Sequence, residues 1–345
     1  MHDSAVTPTS AVEQYLEARE YELAESSIQN MRYRLKQFTK WAEMKELTDM
    51  RELNGRHVEQ YKLWRQDDDL APITVQQQLQ TLRVFLKWCE SQEFAQPGVA
   101  DLVRIPTVSK ANRTRDDAIS SVTANDILSF FQKYDYASRD HVVFHLLWHT
   151  GIRLGSLRAL DLSDWCVEYS DGREDAYLAI RHRPNTGTPL KLQEMGERNI
   201  SILDKDLINA VQDYIDRNRA EITDDNGREP LITTNQGRIS KNSVRYTVYR
   251  ATHPCQYRGE CPHDRAESDC DARSNVSEAS KCPSAVGPHA IRRSAITAHL
   301  DADVPKEIAS ERMAVSPDTL EDHYDVRTNE QKRTRRQRYL HDLNI

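Results

Sequence analysis

The chain has 345 residues, which is long enough for two domains that each bury a hydrophobic core. Its composition is that of a soluble globular protein, and no apolar run approaches the length of a membrane span. Because the polar start also lacks a secretory pattern, we expect a cytoplasmic protein with no membrane partner. The net charge of −7 argues mildly against nucleic-acid binding, yet net charge does not exclude a local basic groove.

Residues 1–95 are predicted to form a helical domain. After Ser26, the expected helix cap, apolar residues recur at three- and four-residue steps from Ile28 to Trp41. Further helices are expected around Val58 and from Pro72 onward. Four basic residues on the outer faces are candidate DNA contacts, although such charges usually form a solvated face: Arg32, Lys36, Arg83 and Lys87.

Residues 96–117 show no clear periodicity and are interpreted as a basic linker. Lys110 and Arg113 in this stretch could lie along a phosphate backbone. Arginine outnumbers lysine 34 to 13 in the whole chain, and guanidinium is the better fork for phosphate oxygens.

A second domain is predicted over residues 118–345, mainly helical with a small antiparallel sheet. Helices are expected at 122–134 and 141–149, with Gly151 ending the second and Arg153 at the turn into the next. Residues 177–183 and 198–203 suggest a hairpin whose connection carries Lys191. Helices are then expected over 206–222, 243–251, 288–300, 305–313, 317–324 and 328–343, and Lys241, before the second of these, is a further candidate DNA contact.

The segment from Gly287 to Arg293 combines a helix start with a histidine and an arginine three residues apart. Pro288 suits a first helical turn, and His289 and Arg292 then share one face. A helix start favours anions through its free N–H groups, so this pair could form a phosphate site. Taken alone, the alternative of an ordinary exposed polar face is favoured.

Several of these segments together resemble the tyrosine recombinases, the phage-integrase class of site-specific DNA recombinases. The resemblance rests on HTGIRLGSLRALDL around Arg153, the connection with Lys191, HAIRRSAITAHL around His289 and Arg292, and EDHYD at Tyr324. The resemblance covers most of the chain, and the chain is similar to the salt-adapted archaeal members of the family. It implies a helical core-binding (SAM-like) domain and a recombinase catalytic domain that close around double-stranded DNA as a C-shaped clamp, with four protomers in the assembly.

The resemblance also implies a role for each of these residues. Tyr324 would attack the scissile phosphate and form a 3′-phosphotyrosyl bond, so that rejoining needs no cofactor. Arg153 and Arg292 would grip the phosphate oxygens, Lys191 on a mobile hairpin would protonate the leaving oxygen, and His289 would assist proton transfer. The basic tail beyond Tyr324 would pack on a neighbouring protomer.

Two positions depart from the family pattern. A histidine or tryptophan usually stands shortly before the tyrosine, and the nearest match here is Met313, which cannot donate a hydrogen bond. Arg312 or His323 could replace this donor. An acidic residue is usual where this chain has Ser156. The alternatives to a recombinase are therefore a catalytically impaired DNA-binding protein of the same fold and a topoisomerase-like strand-cleaving enzyme.

Four of the six cysteines crowd the insertion over residues 253–284. Cys255, Cys261, Cys270 and Cys282, with His253 and His263 nearby, offer ligands for a structural zinc ion, which we expect in preference to free thiols. The spacing does not match a standard zinc finger.

Overall fold

The computed structural model describes residues 5–108, 117–170 and 173–323, together with Arg333 and Gln337. The chain divides into two compact units, Met1–Asp116 and Asp117–Ile345. No helix in these described ranges has the length and hydropathy needed to cross a membrane.

The described part of the N-terminal unit contains four α-helices around an aromatic core. They are α1 (Pro8–Glu20), α2 (Glu25–Met44), α3 (Gly55–Gln66) and α4 (Pro72–Ser91). The Thr7 side chain caps α1 and the Asn54 side chain caps α3, because each accepts backbone N–H groups of the first turn. Most core ring pairs meet edge to face or tilted, as between Phe38 and Tyr61, with centroids 5.7 Å apart, whereas Phe38 and Trp41 stack.

The predicted cap of α2 is wrong. The helix begins at Glu25 after Ala24, and no side chain caps it, so Ser26 already lies in the first turn. The buried stripe is confirmed, since Ile28, Leu35 and Phe38 are all buried. Core packing rather than a cap therefore fixes this helix.

The C-terminal unit is helical with one small sheet and a pair of two-residue strands. Its helices are α5 (Ser121–Tyr134), α6 (Arg139–Thr150), α7 (Leu154–Ala159), α8 (Lys205–Asp213), α9 (Lys241–Ala251), α10 (Pro254–Tyr257), α11 (Asp271–Ser274), α12 (Pro288–Asp301), α13 (Lys306–Met313) and α14 (Pro317–His323). Most residues of α6 are buried, so this helix forms the centre of the unit.

The sheet has three strands where the sequence indicated two. Strands β1 (Trp165–Ser170), β2 (Arg173–Ile180) and β3 (Arg198–Ile202) form one antiparallel sheet in the order β1-β2-β3. Strand β1 was missed, and its six residues pair along the length of β2, from Trp165 opposite Leu178 to Ser170 opposite Arg173. Strands β4 (Thr233–Thr234) and β5 (Gly237–Arg238) make a separate small hairpin.

Helix α8 is shorter than predicted. It begins at Lys205, ends at Asp213 and widens into a single π-helical turn over Tyr214–Asn218. The backbone N–H of Arg219 donates to the Tyr214 carbonyl at 2.7 Å, which closes that turn. The chain then leaves the helical path, four residues before the predicted end at residue 222.

A small apolar cluster holds the last described helices together. It joins α12, α13 and α14 through Ile296, Leu300, Ala309, Met313, Val315 and Leu320, which are all buried. Helix α14 is thereby fixed on α12, the helix that carries His289 and Arg292.

Candidate active site

Arg153 lies at the turn between α6 and α7. Gly151 ends α6 in the left-handed conformation, with a φ of 60°, and Arg153 then forms the N-cap of α7. The Arg153 guanidinium Nη1 donates to the Ala314 carbonyl oxygen at 2.8 Å. This bond joins the start of α7 to the turn that leads into α14.

Arg292, on α12, contacts the turn between α6 and α7. Its side chain is buried, and Nη1 donates to the Gly151 carbonyl oxygen at 2.6 Å. The two arginines are 139 positions apart in sequence, yet each bonds to backbone at the junction of α6, α7 and α13. Both guanidiniums are thus fixed by carbonyl oxygens in one region of the unit.

His289 lies one turn before Arg292, at the start of α12. Partial desolvation, and then the positive charges of Arg292 and Arg293, lower the pKa of His289 below its ordinary value. The charge of Lys191 acts in the same direction, and the charge of Asp117 opposes it. A neutral imidazole at this point can accept a proton near pH 7.

The connection between β2 and β3, which carries Lys191, is anchored rather than free. Leu190 is buried in the main core, and its backbone N–H donates to Nδ1 of His182 at 2.9 Å. The Arg228 guanidinium donates to the side-chain oxygens of Thr186 and Thr188 at 2.9 and 2.7 Å. Lys191 itself is exposed at the end of this anchored segment. The connection therefore has several fixed points, and the mobility of the hairpin stays a prediction.

Arg198, at the start of β3, is a candidate that the sequence did not single out. Its Nε donates to the Arg312 carbonyl oxygen and its Nη1 to the Gly196 carbonyl oxygen, both at 2.7 Å. Burial, and then the charges of Arg153 and Arg312, lower the pKa of Arg198 to about 10. Burial also lowers the pKa of Arg312. Three guanidiniums therefore crowd the C-terminal end of α13.

Comparison with known proteins gives this arrangement a context. Residues 12–93 match the phage integrase N-terminal SAM-like domain family. The Tn1549 transposon integrase, in a complex with circular intermediate DNA, has a similar structure, with a TM-score of 0.67, 16% identity and coverage of 97% of this chain and 100% of that chain. A lambda integrase dimer bound to a core site gives a TM-score of 0.62 at 12% identity, over 93% of this chain and 78% of that chain.

The N-terminal domain belongs to the phage integrase SAM-like family, and the fold is that of the tyrosine recombinases. The N-terminal domain of a phage integrase/site-specific recombinase from Haloarcula marismortui is 33% identical over 30% of this chain and 99% of its own, with a TM-score of 0.29. No significant match is found among curated protein sequences.

Met313 is the nearest match to the family's usual donor. Met313 is fully buried in the apolar cluster, and Val315 is buried beside it. Arg312, one of the two expected replacements, donates to the carbonyl oxygens of Ser201 at 2.8 Å and His149 at 3.4 Å. The His323 side chain lies outside the described part of the chain.

Several predicted site residues also fall outside the described ranges. These are Tyr324, Lys110 and Arg113, and the predicted tail helix over 328–343 is described only at Arg333 and Gln337. Helix α14 is described as far as His323, the residue before Tyr324. Residues 96–108 of the predicted linker include a short 3₁₀ turn, Ala100–Leu102.

The predicted DNA contacts within the described ranges differ in the solvent exposure of their side chains. Arg32, Lys36 and Lys87 in the N-terminal unit are exposed, as is Lys241 at the start of α9. Arg83 is instead half-buried and donates to the Val103 carbonyl oxygen. Arg83 is therefore a structural link within its unit.

The predicted zinc site is not supported. Among the residues that the structure describes, no three histidine, cysteine or acidic side chains are grouped to hold a metal ion. Cys255, Cys261, Cys270 and Cys282 form no disulfide, and the Cys255 sulfur accepts from Arg273 at 3.6 Å. Of the two nearby histidines, His253 bonds to the Ala279 carbonyl oxygen at 2.8 Å.

Proposed function

We propose that this protein is a site-specific DNA recombinase that cuts and rejoins double-stranded DNA through Tyr324. The tyrosine oxygen attacks phosphorus, the bond to the 5′-oxygen breaks, and a 3′-phosphotyrosyl bond replaces it. The released 5′-hydroxyl of a second strand then reverses these steps. Because the phosphodiester energy is kept in the covalent bond, the reaction needs no nucleotide cofactor.

Each chemical task in this reaction has a candidate among the site residues. Arg153 and Arg292 bind the non-bridging oxygens and stabilise the charge that builds on them in the transition state. Lys191 gives a proton to the leaving 5′-oxygen, and His289, neutral near pH 7, takes the proton that Tyr324 loses.

The observation that carries this proposal is the meeting of Arg153, Arg292 and His289 from two distant segments. Arg153 and Arg292 are both anchored to backbone carbonyl oxygens, so their guanidiniums are held before any phosphate arrives. The exposed Lys191, whose charge lowers the pKa of His289, is the proposed proton donor. Preorganised charges of this kind are the main source of rate enhancement in such reactions.

Double-stranded DNA is the proposed partner, bound by a homo-tetramer. The similar Tn1549 and lambda integrase structures are complexes with DNA. In this chain, Arg32 and Lys36 are exposed four residues apart on α2, where they can meet a phosphate backbone. The tail beyond Tyr324 is proposed to join neighbouring protomers.

A nicked suicide substrate tests the reaction. A bound duplex is first selected from a random library with the Tyr324→Phe protein, and nicks are then placed at successive positions along it. The wild-type protein should form a covalent protein–DNA adduct at one nick position, and Tyr324→Phe should form none. Tight binding by the wild-type protein without any adduct would contradict the proposal.

That contrary result would support the second candidate, a DNA-binding protein of the same fold with impaired catalysis. The buried, apolar Met313 and Val315 favour this candidate, because neither side chain can donate to a phosphate where the family has a donor. Ser156, in place of the usual acidic residue, is also buried. The adduct assay separates the two candidates directly.

A further inference from the structure

The C-terminal end of α13 binds two arginines through carbonyl oxygens two residues apart. Arg198 donates to the carbonyl oxygen of Arg312 at 2.7 Å, and Arg153 donates to that of Ala314 at 2.8 Å. The carbonyl groups at the end of a helix carry partial negative charge and attract cations. One backbone turn therefore places the Arg198 guanidinium beside that of Arg153.

Arg198 has donors left for a ligand. Its Nε and Nη1 are used on the carbonyl oxygens of Arg312 and Gly196, whereas no partner of Nη2 is found among the described residues. Nη2 is also not among the buried side-chain atoms that lack a partner in those ranges. Its N–H groups are thus open to solvent or to a bound group.

The charged side chains that act on Arg198 are all positive. The charges that act on its pKa are those of Arg153 and Arg312, and both are positive. Its described hydrogen-bond acceptors are neutral carbonyl oxygens. Placing a half-buried guanidinium beside two others costs free energy, and an anion bound between them would offset this cost.

We propose that Arg198 is a third phosphate-binding arginine that supplies the donor which Met313 and Val315 cannot provide. This inference rests on the proposed function, because the anion is the scissile phosphate of DNA. In the reaction, Nη2 of Arg198 binds a non-bridging oxygen next to the one that Arg153 holds. Arg198 transfers no proton and stabilises charge alone.

A methylphosphonate substrate tests this role against a structural one. Replacing one non-bridging oxygen of the scissile phosphate by methyl removes the negative charge that Arg198 is proposed to bind. On the ordinary phosphate, Arg198→Ala should form the adduct about 10²-fold more slowly than wild type. On the methylphosphonate whose methyl group replaces the oxygen that Arg198 binds, the two proteins should react at rates within about threefold, because the ligand atom of Arg198 is absent.

Three controls keep the result interpretable. Arg217→Ala changes an arginine whose side chain is 72% exposed and paired with Asp213, and it should behave as wild type on both substrates. Arg198→Lys keeps the charge without the fork and should be intermediate on the phosphate. Thermal unfolding of each variant shows whether the fold is kept. An equal deficit of Arg198→Ala on both substrates would overturn the proposal.

A binding measurement separates this inference from the proposed function. In a Tyr324→Phe background, duplexes carrying one methylphosphonate each are scanned along the selected site. Arg198→Ala should weaken binding of the ordinary duplex, but not of the duplex whose methylphosphonate lies at the phosphate Arg198 contacts. If no position removes the difference, Arg198 does not bind phosphate, whether or not the wild-type protein forms an adduct.

Discussion

The guanidinium of Arg153 and the carbonyl oxygen of Ala314 lie 2.8 Å apart, although 161 positions separate the two residues in the chain. Ala314 caps the end of α13 in the left-handed conformation, and the chain then enters α14, whose last residue precedes Tyr324. One side chain therefore links the first catalytic candidate to the segment that leads to the proposed nucleophile.

We expect adduct formation to be slow whether Arg153 is replaced by a charged or by an uncharged residue. Arg153→Ala and Arg153→Lys should each slow adduct formation about 10²- to 10³-fold, because lysine cannot hold the Ala314 carbonyl and a phosphate with one planar fork. Single-turnover cleavage of the nicked duplex measures this. A rate for Arg153→Lys within threefold of wild type would show that the fork geometry is unimportant.

Gly151 should not tolerate a side chain. Its φ is +60°, and an added Cβ would stand 3.0 Å from the Met313 sulfur. We expect Gly151→Ala to lower the free energy of unfolding by about 2 kcal/mol or more, since left-handed backbone alone costs about 1–2 kcal/mol for alanine. Gly155→Ala is the matched control. Gly155 lies in α7 with nothing within 4 Å of its Cβ position, so its change should stabilise by about 0.5–1 kcal/mol. Urea unfolding measures both changes.

Ala314 presents the reverse case. Its φ of 47° and ψ of 62° lie in the left-handed region, although alanine has a Cβ atom. Ala314→Gly should therefore raise the free energy of unfolding by about 1 kcal/mol, while Ala298→Gly, inside α12, should lower it by about 1 kcal/mol. Both are read from urea unfolding of the full-length protein. A loss of stability in both variants would mean that the Ala314 turn is not strained.

His141 should make the fold sensitive to acid. It is buried and stacked on Phe131 and His145, and its Nδ1 accepts the Ala137 N–H at 3.2 Å. Burial, and then the charge of His145, lower the pKa of His141 from 6.5 to about 4. The unfolded chain binds the proton more readily than the folded chain. The stability that neutral His141 contributes is therefore complete above pH 6.5 and is lost as pH falls toward 4. The loss is about 2–3 kcal/mol.

Urea unfolding between pH 4.5 and 7.5 measures this dependence. Burial also lowers the pKa of His149 to about 4, so His141→Gln should remove part of the slope and leave the part due to His149. An unchanged slope in His141→Gln would show that His141 does not titrate with folding.

Much of the site could be predicted because its signals are local. The proline at the start of α12 and the three-residue spacing of His289 and Arg292 depend only on helix geometry. The glycine that ends α6 is equally local, since left-handed backbone favours glycine. The strand β1 was missed because its pairing partner, not its own pattern, makes it a strand.

The amino-acid sequence by itself determined the helical pattern of the two units, the α12 start with His289 and Arg292, and the family resemblance. Only the tertiary structure decided that Met313 is core, that the Lys191 loop is anchored, and that Arg198 stands beside Arg153. The reason is physical: helix starts and stops follow from neighbouring residues, whereas Arg198 and Arg312 are 114 positions apart and meet through packing.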